Sequence, residues 1–550
     1  MGTLFVGSPF ATLPTYFVGL KMTPFNNEVV RGSGGAQESW VTIDGKDVTQ
    51  LIQETNLHWM AGDPYKNYIG TYTGSSEPIS STTGHSNLYR LSKYMAGVGG
   101  YSSPNPYAGG AWQIIPEAGT TGLTACDPSN LHATTSSPAN IRNFVTQYAA
   151  DFGSKAIYFE IMNEPGTSVS WPVVDANRDH DWGVIHVRQF LDQLRVDFGF
   201  DMAGWSISEV RRDYFNHFYG PGQGTFSGCA WPYGSDHNLN HVDAVSVHCY
   251  GFNSGGATAG TTVLQSRINQ IFFATATESQ INAANQPGGY RAGMDLLRTL
   301  MDEKGFTQMG WYQTEYWLLG GTTKTAQIRQ LEALADVCGL ITHCQKDQHL
   351  RWKCKGINLH ACNVDDLLSG TPGTGNEVTQ VGDMPFYRQN TRVYRLPRYY
   401  AWPGIIAKFV NNYKTLLEVT ASGIPLGPTD VNANAVQEFQ ACAGLSPAGT
   451  TKGIVLANVD IASAHTHTLD WGQSANAPMT ITKLTRNHPI ETPMQVTTDS
   501  SVIGATSAAV TLQGGEAVLL EIPLAPPIPP APATGPFGRQ RASGSWSPRR

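Results

Sequence analysis

Two glutamates, Glu164 and Glu315, close segments that read as buried parallel strands: KAIYFEIMNEP over 155–165 and MGWYQTE over 309–315. Each is a near-continuous apolar run ending in polar residues, the pattern of a strand covered on both faces. Alternation along the first run sends Glu160, Met162 and Glu164 to one side, and Pro165 cuts the ladder behind them. Two carboxylates brought to about 5 Å from one another can divide a double displacement between them. Glu315 would attack an anomeric carbon while Glu164, protonated, delivers a proton to the departing oxygen; Glu164 then turns base and activates water. An unperturbed glutamic acid is ionised at neutral pH, so like charge and ring-rich walls must raise the pKa of the acid partner. A lone glutamate at a strand end is ordinarily a surface residue or a structural ion-pair member; the pair in matching positions is what points to chemistry.

The elements that must position this pair repeat along the chain. Candidate strands at 16–21, 57–61, 111–116, 155–165, 202–207, 242–249, 309–315 and 352–361 alternate with helical stretches at 138–152, 181–198, 263–284, 291–303, 324–343 and 396–411. Strands alternating with helices predict an α/β fold, and eight such units predict a (β/α)8 TIM barrel over 1–412. Glu164 then ends strand four and Glu315 strand seven, 151 positions later (315 − 164), at the C-terminal face where barrels assemble their active sites. Pro403 should kink or restart the final helix. From 413 the texture changes to short alternating runs, TLLEVTAS through AAVTLQGGEAVLLEI, which predict an antiparallel β-sandwich domain over 413–523. Residues 524–550 form a Pro-rich tail with a basic end, too poor in apolar residues to order itself.

Here the motifs carry a family resemblance. FEIMNEP at 159–165 and TEYW at 314–317 resemble the strand-four acid/base and strand-seven nucleophile motifs of clan A glycoside hydrolases, and VDAVSVHCYG at 242–251 is similar to that clan's sixth strand. The resemblance implies that Asn163 hydrogen-bonds the sugar's 2-hydroxyl, that Tyr250 holds the nucleophile, and that His248 contacts substrate or the carboxylates. Phe-Glu-x-Met-Asn-Glu-Pro is most like β-agarases and β-porphyranases, while a barrel followed by one sandwich is also similar to β-xylosidase and glucuronidase branches. The chain departs from many relatives at strand two, where LHWMAGDP lacks an arginine, and at strand eight, where INLHACN lacks a terminal tryptophan.

Aromatic residues crowd the segments after the motif strands: Trp171, Trp182, Trp231, Tyr233, Tyr316 and Trp317. Sugar rings stack their CH faces on such side chains, and Trp171 and Trp317 are the candidate subsite platforms; helix-to-barrel packing is the plainer alternative. Net charge is −7 and basic residues are dispersed, so nucleic acid is not an expected partner. No apolar run approaches the roughly 20 residues of a membrane span. The first twenty residues are uncharged but interrupted by Pro9 and Pro14, a poor signal peptide; an extracellular or periplasmic location is nonetheless the expectation for a polysaccharide-active chain. The eight cysteines include no Cys-x-x-Cys pair, so no metal and no cofactor is expected, and a disulfide such as Cys344 with Cys354 is preferred to a metal site.

The expected activity is a retaining hydrolase cleaving β-glycosidic bonds of a polysaccharide, endo-acting in the manner of agarases and porphyranases. An exo-acting β-glycosidase of xylosidase or glucuronidase type is the alternative, and a non-catalytic carbohydrate-binding barrel is the alternative of another class. The partner in every case is a polysaccharide or oligosaccharide.

Overall fold

A computed structural model describes residues 1–22, 44–46, 48–62, 92–93, 95–100, 102–114, 138–161, 200–207, 210, 212, 215, 243–250, 261–273, 276–278, 289–317, 326–360, 364–371, 378–379, 385–390, 392–429 and 435–525. After an N-terminal strand β1 (Thr3–Thr12), eight parallel strands close a barrel in sequence order: β2 (Val18–Met22), β3 (His58–Gly62), β4 (Gly110–Ile114), β5 (Ala156–Ile161), β6 (Asp201–Ile207), β7 (Ala244–Tyr250), β8 (Gly310–Trp317) and β9 (Cys354–His360). Each strand pairs in parallel with the next, and β9 returns to β2. The predicted barrel is thus present, with all eight strands within a few residues of their expected places.

Described helices on the outside are α1 (Val48–Glu54), α2 (Pro138–Phe152), α3 (Thr261–Phe272), α4 (Gly289–Glu303), α5 (Ala326–Cys344) and α6 (Lys346–Trp352). The helix expected at 181–198 lies outside the described residues. Period-two burial divides each strand: Val18, Leu20, Val245, Val247, Trp311, Ile357 and Leu359 join the core shared with the helices. Met60, Ala111, Tyr158, Ala203, Ala244 and Tyr312 fill one layer of the lumen. Three alanines there make room for two tyrosines, whose rings stack at 4.2 Å, so the lower barrel is a packed core and leaves chemistry to the upper rim.

Past the barrel, β10 (Val364–Ser369), β11 (Val378–Thr379), β12 (Phe386–Gln389) and β13 (Arg392–Arg395) make a small sheet that the alternation pattern did not signal. The last helix is broken as Pro403 requires: α7 (Pro397–Ala401) passes through a π-helical turn, Trp402–Ala407, into α8 (Lys408–Asn412), the wider turn absorbing the missing N–H. The strands β14 (Thr415–Ser422), β15 (Phe439–Leu445), β16 (Thr451–Asn458), β17 (His465–Asp470), β18 (Met479–Leu484), β19 (Gln495–Asp499), β20 (Ser507–Leu512) and β21 (Ala517–Pro523) then build the β domain.

Its sheet runs β19-β18-β21-β16-β15-β14-β1-β17-β20, and this corrects the expected boundary. Strand β1, assigned by sequence to 1–412, lies between β14, antiparallel, and β17, parallel. The sheet is therefore antiparallel except at that one pair. The ordered β domain also extends past 523: Leu524 is buried, and its N–H donates to the Thr450 carbonyl at 2.8 Å. The remaining tail, 526–550, lies outside the described residues.

Strand β16 explains how the two parts join. Ile454 and Leu456 face the β-domain core, whereas Val455 and Ala457 face the core of the barrel helices, so TKGIVLAN is apolar throughout because both faces are covered. Polar ties reinforce the contact: Gln265 of α3 donates to the Val459 carbonyl at 2.7 Å and accepts from the Ile461 N–H at 3.0 Å. Cys338, Cys344, Cys354 and Cys442 are all buried free thiols, so the expected Cys344–Cys354 disulfide is absent; Cys344 ends α5, and Cys354 instead lies 3.4 Å from the Gly356 carbonyl.

Candidate active site

Glu315 sits on β8, where simple alternation fails. Tyr312 enters the lumen layer, Thr314 lies beside Ser246 of β7, and Tyr316 turns outward, its hydroxyl donating to the Ala335 carbonyl of α5 at 3.0 Å. With Thr314 in and Tyr316 out, strict period two has no inward place for Glu315. The ladder supplies one: the register against β9 slips between Gln313 and Tyr316, and against β7 between Val247 and His248. Such a bulge re-aims a side chain, and the Gln313 amide, donating to the Glu315 carbonyl at 2.5 Å, stitches the irregular turn.

The re-aimed carboxylate is 5% exposed and meets three nitrogen bases from three other strands. Lys21 of β2 forms an ion pair with Oε1. His248 Nδ1 of β7 lies 3.4 Å, and His360 Nε2 of β9 3.7 Å, from Oε2. Burial pushes the Glu315 carboxyl up, but the fields of His248, Lys21 and His360 together outweigh it and hold the group down at about 2. The carboxylate is therefore ionised at any ordinary working pH, the form a nucleophile needs.

One layer below, Glu160 of β5 is fully buried and accepts from the Ser246 hydroxyl, which in turn lies 3.1 Å from the Thr314 hydroxyl. Deeper still, Asn358 of β9 donates to the Tyr158 hydroxyl, which itself contacts Met60 Sδ at 2.9 Å. The His58 ring crosses the lumen over Gly19, where a Cβ would lie 2.2 Å from Nε2 and 2.4 Å from Asn358 Oδ1; only glycine leaves that passage open. Burial drives the His58 pKa down to about 3, against the hydrogen bonds of Asn358 and the Val18 backbone, so the ring is neutral.

Of the residues named from sequence, His248 and Glu315 are brought together, as register partners and in side-chain contact. Tyr250 and Trp317 are register partners two positions further up the same two strands; their side chains are not among the described positions. Asn163, Glu164 and Trp171 lie outside the described residues, β5 being described to Ile161. Lys21 and His360 were not singled out as site residues. Lys21 carried a legible signal, a lone charge inside the apolar strand VGLKM; His360 carried none of its own, and among the described residues no group of three or more His, Cys, Asp or Glu could hold a metal.

No protein-family model and no curated protein matches the sequence. Solved structures do match over nearly the whole chain. An α-L-arabinofuranosidase from Thermotoga maritima is 11% identical, with 95% of this chain and 100% of that chain covered at a TM-score of 0.60. A family 51 α-L-arabinofuranosidase from Bifidobacterium longum is 13% identical, covering 95% and 99% at 0.59. A bifunctional glucanase-xylanase from a metagenome library is 11% identical, covering 95% and 99% at 0.54. The chain shares with them the fold of a (β/α)8 barrel carrying a β domain. At these identities the likeness speaks for the barrel and its attached β domain together, and for the fold alone. Among the described residues no helix is long and apolar enough to cross a membrane.

Proposed function

We propose that the chain is a glycoside hydrolase working by double displacement with retention, Glu315 being the nucleophile and Glu164 the acid/base. The observation that carries this is the buried Glu315 carboxylate, re-aimed by a bulge at the mouth of the seventh barrel strand and surrounded by Lys21, His248 and His360. In the first step a Glu315 oxygen forms a bond to the anomeric carbon as the glycosidic carbon–oxygen bond breaks, the electron pair leaving with that oxygen and the Glu164 proton neutralising it. In the second, Glu164 takes a proton from water, whose oxygen displaces Glu315 at the same carbon. Asn163 binds the 2-hydroxyl, His248 and Tyr250 hold the nucleophile, and Trp171 and Trp317 stack on sugar rings.

The substrate in this reading is a β-linked polysaccharide cut internally, as by agarases and porphyranases, on the strength of the FEIMNEP segment, and the enzyme works outside the cytoplasm. A second reading, exo-action on α-L-arabinofuranosides, is favoured by the whole-chain fold match to two proteins described as α-L-arabinofuranosidases. Incubation with agar, porphyran, xylan, β-glucan and arabinoxylan, with products sized, separates the two: an oligosaccharide ladder supports endo-action and free arabinose the second reading. Glu164→Gln and Glu315→Gln should each lower turnover by about 10³-fold or more, the scale on which loss of one member of a catalytic unit acts, with the circular-dichroism spectrum unchanged. Undiminished turnover in either variant refutes the role given to that residue.

A further inference from the structure

Lys21 is the only charged residue of β2 and is 1% exposed. An ammonium so deeply placed must be compensated by a partner, because its desolvation is costly otherwise; the partner here is Glu315 Oε1. Strand two of the barrel, HWMAG, offers no arginine, so this cation reaches the carboxylate from strand one. A lysine differs from an arginine in a way that matters at a nucleophile: it is a point charge that addresses one oxygen, whereas a guanidinium fork engages both. The two oxygens of Glu315 accordingly have different surroundings. Oε1 carries the ammonium; Oε2 faces the imidazoles of His248, fully buried, and His360, which is partly open at the rim.

We propose that Lys21 is the positioning residue of the nucleophile: it pins Oε1 and thereby assigns Oε2 as the oxygen that attacks. The inference rests on the double-displacement reading of Glu315. With His248 and His360, Lys21 offsets the burial of the carboxylate, and because the ammonium pairs with one oxygen, the second lies beside the two imidazoles instead. Among the described residues, the other charged or titratable groups around Glu315 include His248 from β7, His360 from β9 and, from β5 below, the Tyr158 hydroxyl with Glu160 beside it. Neither acidic nor phenolic neighbour can replace an ammonium.

The test reads Glu315 directly. With side-chain 13C-labelled glutamate, its carboxyl resonance is assigned by its loss in Glu315→Gln and followed by NMR against pH in the wild type, Lys21→Met and Lys21→Arg. Lys21→Met should raise the Glu315 titration by about two pH units or more, as removal of a buried counter-charge does, and the acid limb of kcat/KM should rise with it. Lys21→Gln serves the same purpose should the methionine variant fail to fold. Lys21→Arg should keep the titration low yet reduce kcat about tenfold or more with KM little changed, because both oxygens are then engaged. A Glu315 titration unmoved in Lys21→Met overturns the positioning role, and wild-type kcat in Lys21→Arg overturns the assignment of Oε2. Failure of the hydrolase reading is distinct: it shows as turnover retained in Glu315→Gln, whatever the NMR titration does.

Discussion

Removal of the Asp336 carboxylate should unseat the last barrel helix. Asp336 of α5 accepts from Arg398 Nε at 2.6 Å and Nη2 at 3.0 Å, and from the Trp402 indole N–H at 2.8 Å. Both charged side chains are buried, 2% exposed for Arg398 and 3% for Asp336. Asp336→Ala deletes three hydrogen bonds at once and leaves a guanidinium inside the protein with its main counter-charge gone, a change that costs about 3–5 kcal/mol. Replacing both partners, Asp336→Leu with Arg398→Met, removes the uncompensated charge as well, and such double replacements are neutral to within about 1 kcal/mol or stabilising. Urea unfolding followed by far-ultraviolet circular dichroism measures both. As an internal control, the half-exposed Lys346–Glu418 pair at 3.0 Å should cost less than about 1 kcal/mol on Glu418→Ala. An Asp336→Ala loss no larger than that control, or a double variant less stable than the single one, would refute the reasoning.

Three further outcomes follow from the packing and the charges. A Cβ at Gly339 of α5 would lie 2.0 Å from the Tyr316 hydroxyl, so Gly339→Ala should cost about 1–3 kcal/mol and, by displacing the residue next to Glu315, lower turnover; wild-type denaturation and activity would contradict the tight helix–strand seat. Burial pushes the thiols of Cys338, Cys354 and Cys442 well above their ordinary values, so iodoacetamide on the native protein should leave Cys338, Cys344, Cys354 and Cys442 unlabelled, and peptide mapping should show labelling after denaturation; a peptide joined through Cys344 and Cys354 would contradict the free thiols. Burial raises the Asp460 carboxyl, but His465 at 2.8 Å and the N–H groups of Ala462 and Ser463 outweigh it and lower the pKa. A folded-state value below the unfolded one stabilises above the unfolded pKa and is lost as acid protonates the group, so Asp460→Asn should be less stable than the wild type at pH 7, the difference closing below about pH 4; a difference constant with pH would count against it.

What the sequence made legible follows from burial. Strands covered on both faces are apolar throughout, and runs such as KAIYFEI and AVSVHCY announce themselves; the sixth and seventh strands could therefore be placed, while contact of His248 with substrate or the carboxylates was implied only by the motif resemblance. The bulge at Glu315 could not be foreseen, because a register slip depends on how β8 meets β7 and β9, not on the residues of β8. Lys21 was visible as a charge among apolar neighbours, but its partner is 294 positions away, and no local pattern joins the two. Strand β1 was missed for another reason. TLFVGSPFAT alternates only through Leu4 and Val6, its Gly7 and Pro9 break the pattern where the register against β14 also shifts, and nothing local tells which of two sheets will accept a strand.

That strand sets an order on biosynthesis. Its inner neighbours, β14 and β17, begin at Thr415 and His465, so during synthesis this strand has to wait for some four hundred further residues before its partners exist. Where the wait ends, Thr12 pairs with Thr415 and the Leu13 N–H donates to the Lys414 carbonyl at 2.8 Å, drawing the two ends of the barrel segment together. A gene fragment cut at 412 would consequently carry a stranded, unpaired β-ribbon on one product and leave a missing rung inside the sheet of the other, an invitation to aggregation on both sides.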